Sequence, residues 1–289
     1  MEQQTSMPAN WADEIAQQIC SREADQCGVW LIIGAVDTGK TSLVMALARL
    51  AAKRRPVGIV DADIGQSHIG PPATAGWAVI KEPQEDFSQL AAGGISFVGD
   101  VTPTRHLLQL TAAIVQCVRQ AGEAADFIII DTPGFVSGSA AAALWWTVQR
   151  ILQPKLIIAV QRSDELKDIL AGLRPVAAKI RLVECPSWMP VKSPKDRSSY
   201  RQGLFDRYFQ SSRLYDISLD DIAIQSSGNA GRNIPAGTLV GLRNEKGVDM
   251  AVGVVVRKST DGGIIAVKAP EINIRQVRCI VVGDISIQT

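Results

Sequence analysis

Gly34-Ala35-Val36-Asp37-Thr38-Gly39-Lys40-Thr41-Ser42 decides the fold, because its first eight residues fit the phosphate-binding template G-x-x-x-x-G-K-[ST] at every fixed position. An apolar run over residues 29–33 precedes it, as a buried strand should, and a helix-grade run over residues 43–53 follows it. In such a loop the glycines allow backbone conformations that turn N–H groups toward phosphate oxygens. The helix N-terminus adds positive potential, and the lysine neutralises the terminal phosphates. The pattern assigns Lys40 to the β- and γ-phosphates and Thr41 to Mg²⁺, with Gly34 to Ser42 as the nucleotide cradle.

Composition bounds what surrounds this loop. A chain of 289 residues buries a full core as one large domain or as a medium and a small one. A net charge of +1 excludes a uniformly basic surface, so contact with nucleic acid needs a local basic patch. Cys20, Cys27, Cys117, Cys185 and Cys279 show no paired metal-ligand spacing and read as reduced, mostly buried thiols. The opening Met-Glu-Gln-Gln-Thr lacks the basic n-region of a secretory leader, and no apolar run reaches the ~18 residues of a spanning helix. The expectation is a soluble cytoplasmic protein with no membrane contact.

Residues 11–19 place Trp11, Ile15, Ala16 and Ile19 at helical spacing, with Trp11 read as core. A short β-branched strand over 57–60 ends in Asp61-Ala62-Asp63-Ile64-Gly65-Gln66, and carboxylates at that end lie where parallel α/β sheets put their chemistry. If the strand continued through them, Asp61 and Asp63 would point the same way, and either would face Mg²⁺ or an acceptor. Residues 67–89 are rich in Gly, Pro and Ala and read as a long ordered loop or a short β excursion; His68, within them, receives no role. A strand over 95–98 leads to a helix over 107–118, with Thr104 as an N-cap. After an apolar strand over 127–130, Asp131-Thr132-Pro133-Gly134 has the D-x-x-G form by which phosphate-loop enzymes approach Mg²⁺ or the γ-phosphate, which makes Asp131 a second metal-side candidate. A helix over 138–152, a strand over 156–160, a helix near 164–173 and a strand over 180–183 complete a βα alternation. The fold class is therefore α/β, a P-loop NTPase whose mainly parallel sheet is flanked by helices.

From Pro186 the character changes. A basic stretch runs from Lys192 through Arg213, with Leu204, Phe205, Tyr208 and Phe209 interleaved at helical spacing. Arg197 and Arg201 are four apart, on one helix face. Two guanidiniums there would close on a transferring phosphate, or simply form a solvated face. Beyond Leu214, short β runs over 251–256, 264–267 and 280–282 alternate with turn signals at Asn244–Gly247 and Asp261-Gly262-Gly263. The expected organisation is a P-loop domain over 1–213, with a short N-terminal helix and a basic lid from about residue 190, and a small β domain over 214–289.

Together, the phosphate loop with Asp37 at its fourth position, Asp61-Ala-Asp63-Ile-Gly65-Gln66, Thr102-Pro103, Asp131-Thr-Pro-Gly134, Gln161-Arg-Ser-Asp-Glu165 and the Arg197/Arg201 segment resemble the polynucleotide 5′-hydroxyl kinase family. The eukaryotic members act in pre-mRNA 3′ processing, tRNA splicing and ribosomal-RNA maturation; this chain is most similar to the short microbial form. The resemblance runs from about Trp11 to the end. It implies transfer of the ATP γ-phosphate, with Mg²⁺ and with GTP as an alternative donor, to the 5′-hydroxyl of RNA or DNA.

By the same resemblance, Asp63 matches the carboxylate that orients or deprotonates the attacking hydroxyl and joins Thr41 and Asp131 on the metal side. Gln66, Thr102 and Pro103 match substrate-side positions, although Thr104 stands where the family carries an asparagine. Phe135 falls where some relatives have a tryptophan that stacks on a base, which keeps a π-face of smaller area. Arg197 and Arg201 resemble the arginine lid, catalytic together with Lys40 and Asp63. Two other classes remain open: a nucleotide-hydrolysing switch, with Asp131-x-x-Gly134 as its sensor and Asp164 reading a purine edge, and a nucleotide-bound assembly factor. No protein partner is specified.

Overall fold

The computed structural model describes residues 11–23, 27–87, 90–220, 222–226, 234–259 and 263–287. The opening pentapeptide and most of the Asp261-Gly262-Gly263 turn signal lie outside the described residues. By packing the chain divides into two compact units. One holds the described residues up to Ile59 with Val79–Leu90 and Ala121–Val191; the other holds Val60–Ala78, Ala91–Gln120 and Lys192 onward.

The first unit carries helix α1 (Trp11–Glu23), strand β1 (Gly28–Gly34), helix α2 (Lys40–Ala51) and the start of strand β2 (Val57–Asp61). It continues with β5 (Phe127–Asp131), α4 (Gly138–Leu152), β6 (Leu156–Gln161), α5 (Lys167–Leu173) and β7 (Ile180–Glu184). Its strands run β7-β6-β1-β5-β2, and the β7–β6, β6–β1 and β1–β5 pairs are parallel. The central strands are near-continuous apolar runs: residues 30–34 of β1 and all of β5 are buried, as a sheet covered on both faces requires. From β1 the chain crosses in one direction to β2, whereas β5, β6 and β7 step in the other. Right-handed crossovers therefore put α2 on one face and α4 with α5 on the opposite one. The reversal occurs at β1, whose C-terminal end opens into the phosphate loop, where such sheets bind ligands. Buried Glu23 closes α1 against β7 by ion pairs to Lys179 and to Arg181, the latter at 3.0 Å.

The second unit is mostly antiparallel. Strand β3 (Thr74–Ile80), the β excursion that is one of the two readings of residues 67–89, pairs with β4 (Gly94–Phe97), and β4 pairs with β11 (Asp249–Lys258). β11 pairs with β10 (Thr238–Asn244), and β10 with β13 (Val277–Ser286). Beyond them, β9 (Ala223–Ser226) joins β13 in parallel, and β12 (Ile264–Ala269) links β11 to β8 (Arg213–Ser218). Helix α3 (Leu107–Ala121) begins three residues after the expected Thr104 cap. The carbonyl of His106, not the Thr104 side chain, receives the first helical N–H, from Leu110 at 2.8 Å.

Alternation along β10 and β11 explains where helix α6 (Pro194–Phe209) sits. Leu239, Val252 and Val254 face a cluster containing Phe205 and Phe209, while Val240, Leu242 and Val255 point into a separate core with Ile265, Val267 and Ile280. The Tyr208 hydroxyl accepts the Val252 N–H at 3.0 Å, and burial pushes its pKa up to about 12. The basic helix thus packs with the β strands that follow it.

At the β4–β11 junction the Asp249 carboxylate is fully buried. It takes a forked pair of hydrogen bonds from Arg243, at 2.9 and 3.0 Å, and the Phe97 N–H at 2.8 Å. Removing one partner leaves the other charge uncompensated. Asp249→Ala is expected to cost about 3 kcal/mol in urea denaturation, with part recovered in the Asp249→Ala/Arg243→Met double variant.

Candidate active site

The nucleotide end of the first unit follows from backbone geometry. Gly39, the N-cap of α2, has φ +84°, and Asp37 has φ +56°, a left-handed conformation that a short polar side chain tolerates. Those turns shape the loop ahead of α2, which starts at Lys40, three residues before the expected run. Lys40 is buried, its Nζ donating to the Ala35 carbonyl at 2.7 Å, and Thr38 Oγ1 donates to the same oxygen at 2.9 Å. Strand β5 delivers Asp131 alongside: Thr41 Oγ1 donates to Asp131 Oδ2 at 2.6 Å. A hydroxyl and a buried carboxylate side by side are hard oxygen donors that fit Mg²⁺, which takes few protein ligands and keeps its waters and substrate phosphates. Gly134 closes the arrangement, since a Cβ there would lie 2.5 Å from the Val36 backbone nitrogen. Phe135 is half-buried, its carbonyl accepting the Trp145 indole N–H at 2.7 Å.

Beside the loop lies a cavity of about 780 Å³ lined by Trp11, Ile15, Arg162, Cys185, Pro186 and Trp188. Sequence reasoning placed Trp11 in the core. It is only partly buried, and it presses on the loop together with Met189, within 2.9 Å of where a Gly39 Cβ would stand. Arg162, which received no separate role, donates to the Asp37 carbonyl at 2.6 Å. The signal for it was position: it follows β6 at the C-terminal edge of the sheet. The α5 helix starts at Lys167, because Glu165 occupies the preceding turn by accepting the N–H groups of Arg162 and Ser163 at 2.6 and 2.8 Å. Burial acts to raise the Glu165 pKa, and those N–H groups outweigh it, so the carboxyl lies below its ordinary value.

The second unit gathers the substrate-side candidates. Strand β2 stops at Asp61, so Asp61 and Asp63 do not share a strand face. It is fully buried, with Oδ1 accepting the Asp63 N–H at 3.0 Å and Oδ2 accepting the N–H groups of His68 and Ile69, the latter at 3.0 Å. Asp61 therefore builds the loop. Asp63 is half-exposed, and its Oδ1 accepts the N–H groups of Gly65 and Gln66 at 3.1 and 3.0 Å. Among the described residues its Oδ2 has no hydrogen-bond partner, so that lone pair remains available. Gly65 packs on the Val101 carbonyl, which brings the Asp63–Gln66 turn against the segment holding exposed Thr102 and buried Pro103.

Helix α6 is started by a capping box, Ser193 and Asp196 each bonding the other's backbone N–H at 3.1 Å, with Pro194 in the first turn. It displays Arg197 and Arg201, both half-exposed, on one face. The nucleotide-side candidates thus lie in the first unit, whereas Asp63, Gln66, Thr102, Pro103, Arg197 and Arg201 lie in the second.

Gly134→Ala drives a methyl into the Val36 backbone. Its affinity for a fluorescent ATP analogue is expected to fall roughly tenfold or more, the range set by an overpacking cost, with the thermal midpoint followed in parallel.

Residues 34–211 match the family model described as mRNA cleavage and polyadenylation factor CLP1 P-loop. A polyribonucleotide 5′-hydroxyl-kinase of Pyrococcus abyssi is 31% identical over 195 residues, 67% of this chain and 54% of that protein. Another from Methanocaldococcus jannaschii is 31% identical over 208 residues, 71% of this chain and 56% of its own length. A CLP1 homologue of Anopheles gambiae is 27% identical over 244 residues, covering 76% and 56%. The chain spans about half the length of the curated relatives it matches. A solved wild-type Clp1p–Pcf11p complex superimposes with a TM-score of 0.69 at 12% identity, over 95% of this chain and 77% of the matched one, a likeness of fold. A match to the family model over more than half of the chain, across a range that holds the loop, the D-x-x-G turn and the basic helix described above, means that this protein belongs to the CLP1 P-loop family.

Proposed function

We propose that this chain is a polynucleotide 5′-hydroxyl kinase, transferring the γ-phosphate of ATP to the 5′-hydroxyl of RNA or DNA. The observation that carries the reading is Asp63: one carboxylate oxygen is consumed in ordering its own turn and the other is left open, as a general base requires. The kinase names of archaeal relatives at about 31% identity support it.

In the reaction, Asp63 Oδ2 takes the proton of the 5′-hydroxyl, the O5′–Pγ bond forms and the bond from Pγ to the β-bridging oxygen breaks, releasing ADP. Lys40 holds the β- and γ-phosphates, and Arg197 and Arg201 supply planar cations to charge developing on the transferring group. Thr41 and Asp131 would hold Mg²⁺, which would supply positive charge to neutralise the triphosphate. Phe135 offers a face to a base, and Gln66, Thr102 and Pro103 line the acceptor side. The cavity at Trp11 and Arg162 suits the nucleobase of the donor, ATP or GTP. A second reading, an assembly subunit that binds nucleotide without turnover, is favoured by the solved Clp1p neighbours, which are complexes with the protein Pcf11p.

Labelled ATP and a 5′-hydroxyl oligonucleotide separate the two. Wild type is expected to label the oligonucleotide. Asp63→Ala should lose about a hundredfold or more in turnover with nucleotide affinity retained, and Arg201→Ala a comparable factor. An Asp63→Ala protein that still transfers phosphate at the wild-type rate refutes the base, and nucleotide binding without any transfer supports the assembly role.

A further inference from the structure

His68 and Lys192 are not used by the transfer chemistry, yet the second unit brings them together beside the Asp63 turn. Lys192 Nζ lies 3.5 Å from Gln66 Oε1 and 5.6 Å from the centroid of the Tyr200 ring, and the His68 ring lies 6.1 Å from Tyr200, tilted by 44°. Tyr200 sits three residues after Arg197 and one before Arg201, so the first turns of α6 carry an aromatic ring among cations. Lys192 is exposed at the foot of that helix, with an amide oxygen and a π-face beside its ammonium. Burial holds the His68 imidazole below its ordinary pKa, against the pull of Asp63, so the ring meets Tyr200 as a neutral aromatic.

Helix α6 is already anchored further along, five to nine residues after Tyr200, by Phe205, Tyr208 and Phe209, so these contacts are not needed to fasten it. An aromatic face, a solvent-accessible ammonium and a side-chain amide in one patch are the set that recognises a single-stranded nucleic-acid end: stacking for a base, charge for a phosphate, and hydrogen bonding for an edge. We infer that Tyr200, backed by His68, together with Lys192 and Gln66, forms a cradle for the first nucleotides of the acceptor. Tyr200 takes a base, and Lys192 takes the phosphate on the 3′ side of the terminal nucleotide. The inference rests on the acceptor being a polynucleotide with a 5′-hydroxyl end and deepens that reading by naming residues that grip it.

The test is fluorescence anisotropy of a 3′-labelled, single-stranded 5′-hydroxyl oligonucleotide without ATP, over a salt series. Tyr200→Ala is expected to weaken binding roughly tenfold, and Tyr200→Phe to restore it to within about twofold, because stacking needs the ring and not the hydroxyl. Lys192→Gln should flatten the slope of log affinity against log salt by about 0.7, the loss of one phosphate contact on a single strand. Wild-type affinity and slope in both Tyr200→Ala and Lys192→Gln overturn the cradle, as does a Tyr200→Phe protein as weak as Tyr200→Ala. If Tyr200→Ala does not fold, the salt slope of Lys192→Gln, an exposed position, decides alone. Because binding is read without turnover, a chain that grips the oligonucleotide through these residues but transfers no phosphate refutes the kinase and leaves the cradle. One that transfers phosphate with an acceptor KM indifferent to both substitutions refutes the cradle only.

Discussion

The close approach of Gly134 to the backbone of Val36 is the constraint on which the nucleotide end depends. It lets the turn after β5 lie under the phosphate loop, which puts Asp131 within hydrogen-bond reach of Thr41. Parallel pairing of β1 with β5, Ile32 opposite Asp131, sets the register that makes this possible. Thr132 fastens the same turn from below by donating to the Ile32 carbonyl at 2.7 Å. Two turns from distant parts of the chain are thus held by one sheet register and one missing side chain, and neither can move without the other. The loop's left-handed turns fall at Gly39 and Asp37, residue types that accept that conformation.

The second unit solves a different problem, presenting a cationic helix without letting it drift. A basic helix with few apolar residues has little intrinsic reason to stay docked, and α6 buries only Phe205 and Phe209 fully. Their partners come from alternate positions of β10 and β11, and Gly241 is needed in β10 because a Cβ there would stand 2.7 Å from the Phe97 ring in the same cluster. Tyr208 adds a directional bond to the β11 backbone. The β-rich C-terminal segment therefore acts, at least in part, as the bed for the arginine-bearing helix, which is why packing groups the helix with the strands after it and not with the P-loop strands before it.

How much was legible follows from how local each signal is. Lys40, Thr41 and the D-x-x-G turn are short-range patterns with fixed spacing, and the βα alternation after them is carried by uninterrupted apolar strands; both were readable. Strand β10 was not read, because Gly241 interrupts its apolar run and the reason for that glycine, the Phe97 ring, lies far away in sequence. Thr104 looked like a cap because its side chain is right for one, but the choice of helix start fell to His106, whose ring is buried 3.2 Å from Asp284 and 3.5 Å from Asp100. Trp11 had the spacing of a core residue and lies at the cavity beside the loop, since periodicity tells which face of a helix is apolar and not what that face meets.

The two aspartates after β2 show why a carboxylate pair cannot be ranked from spacing alone. Their side chains would have been equivalent had the strand run on; ending it at Asp61 makes them opposites. Asp61, at the last strand position, is buried under the turn it organises, and three backbone N–H groups occupy its two oxygens. A carboxylate so engaged is committed to the local backbone. Asp63, two residues on, gives one oxygen to its own turn and faces solvent with the other. The first aspartate thus holds the loop that aims the second, and of the pair it is Asp63 that keeps one oxygen without a hydrogen-bond partner among the described residues.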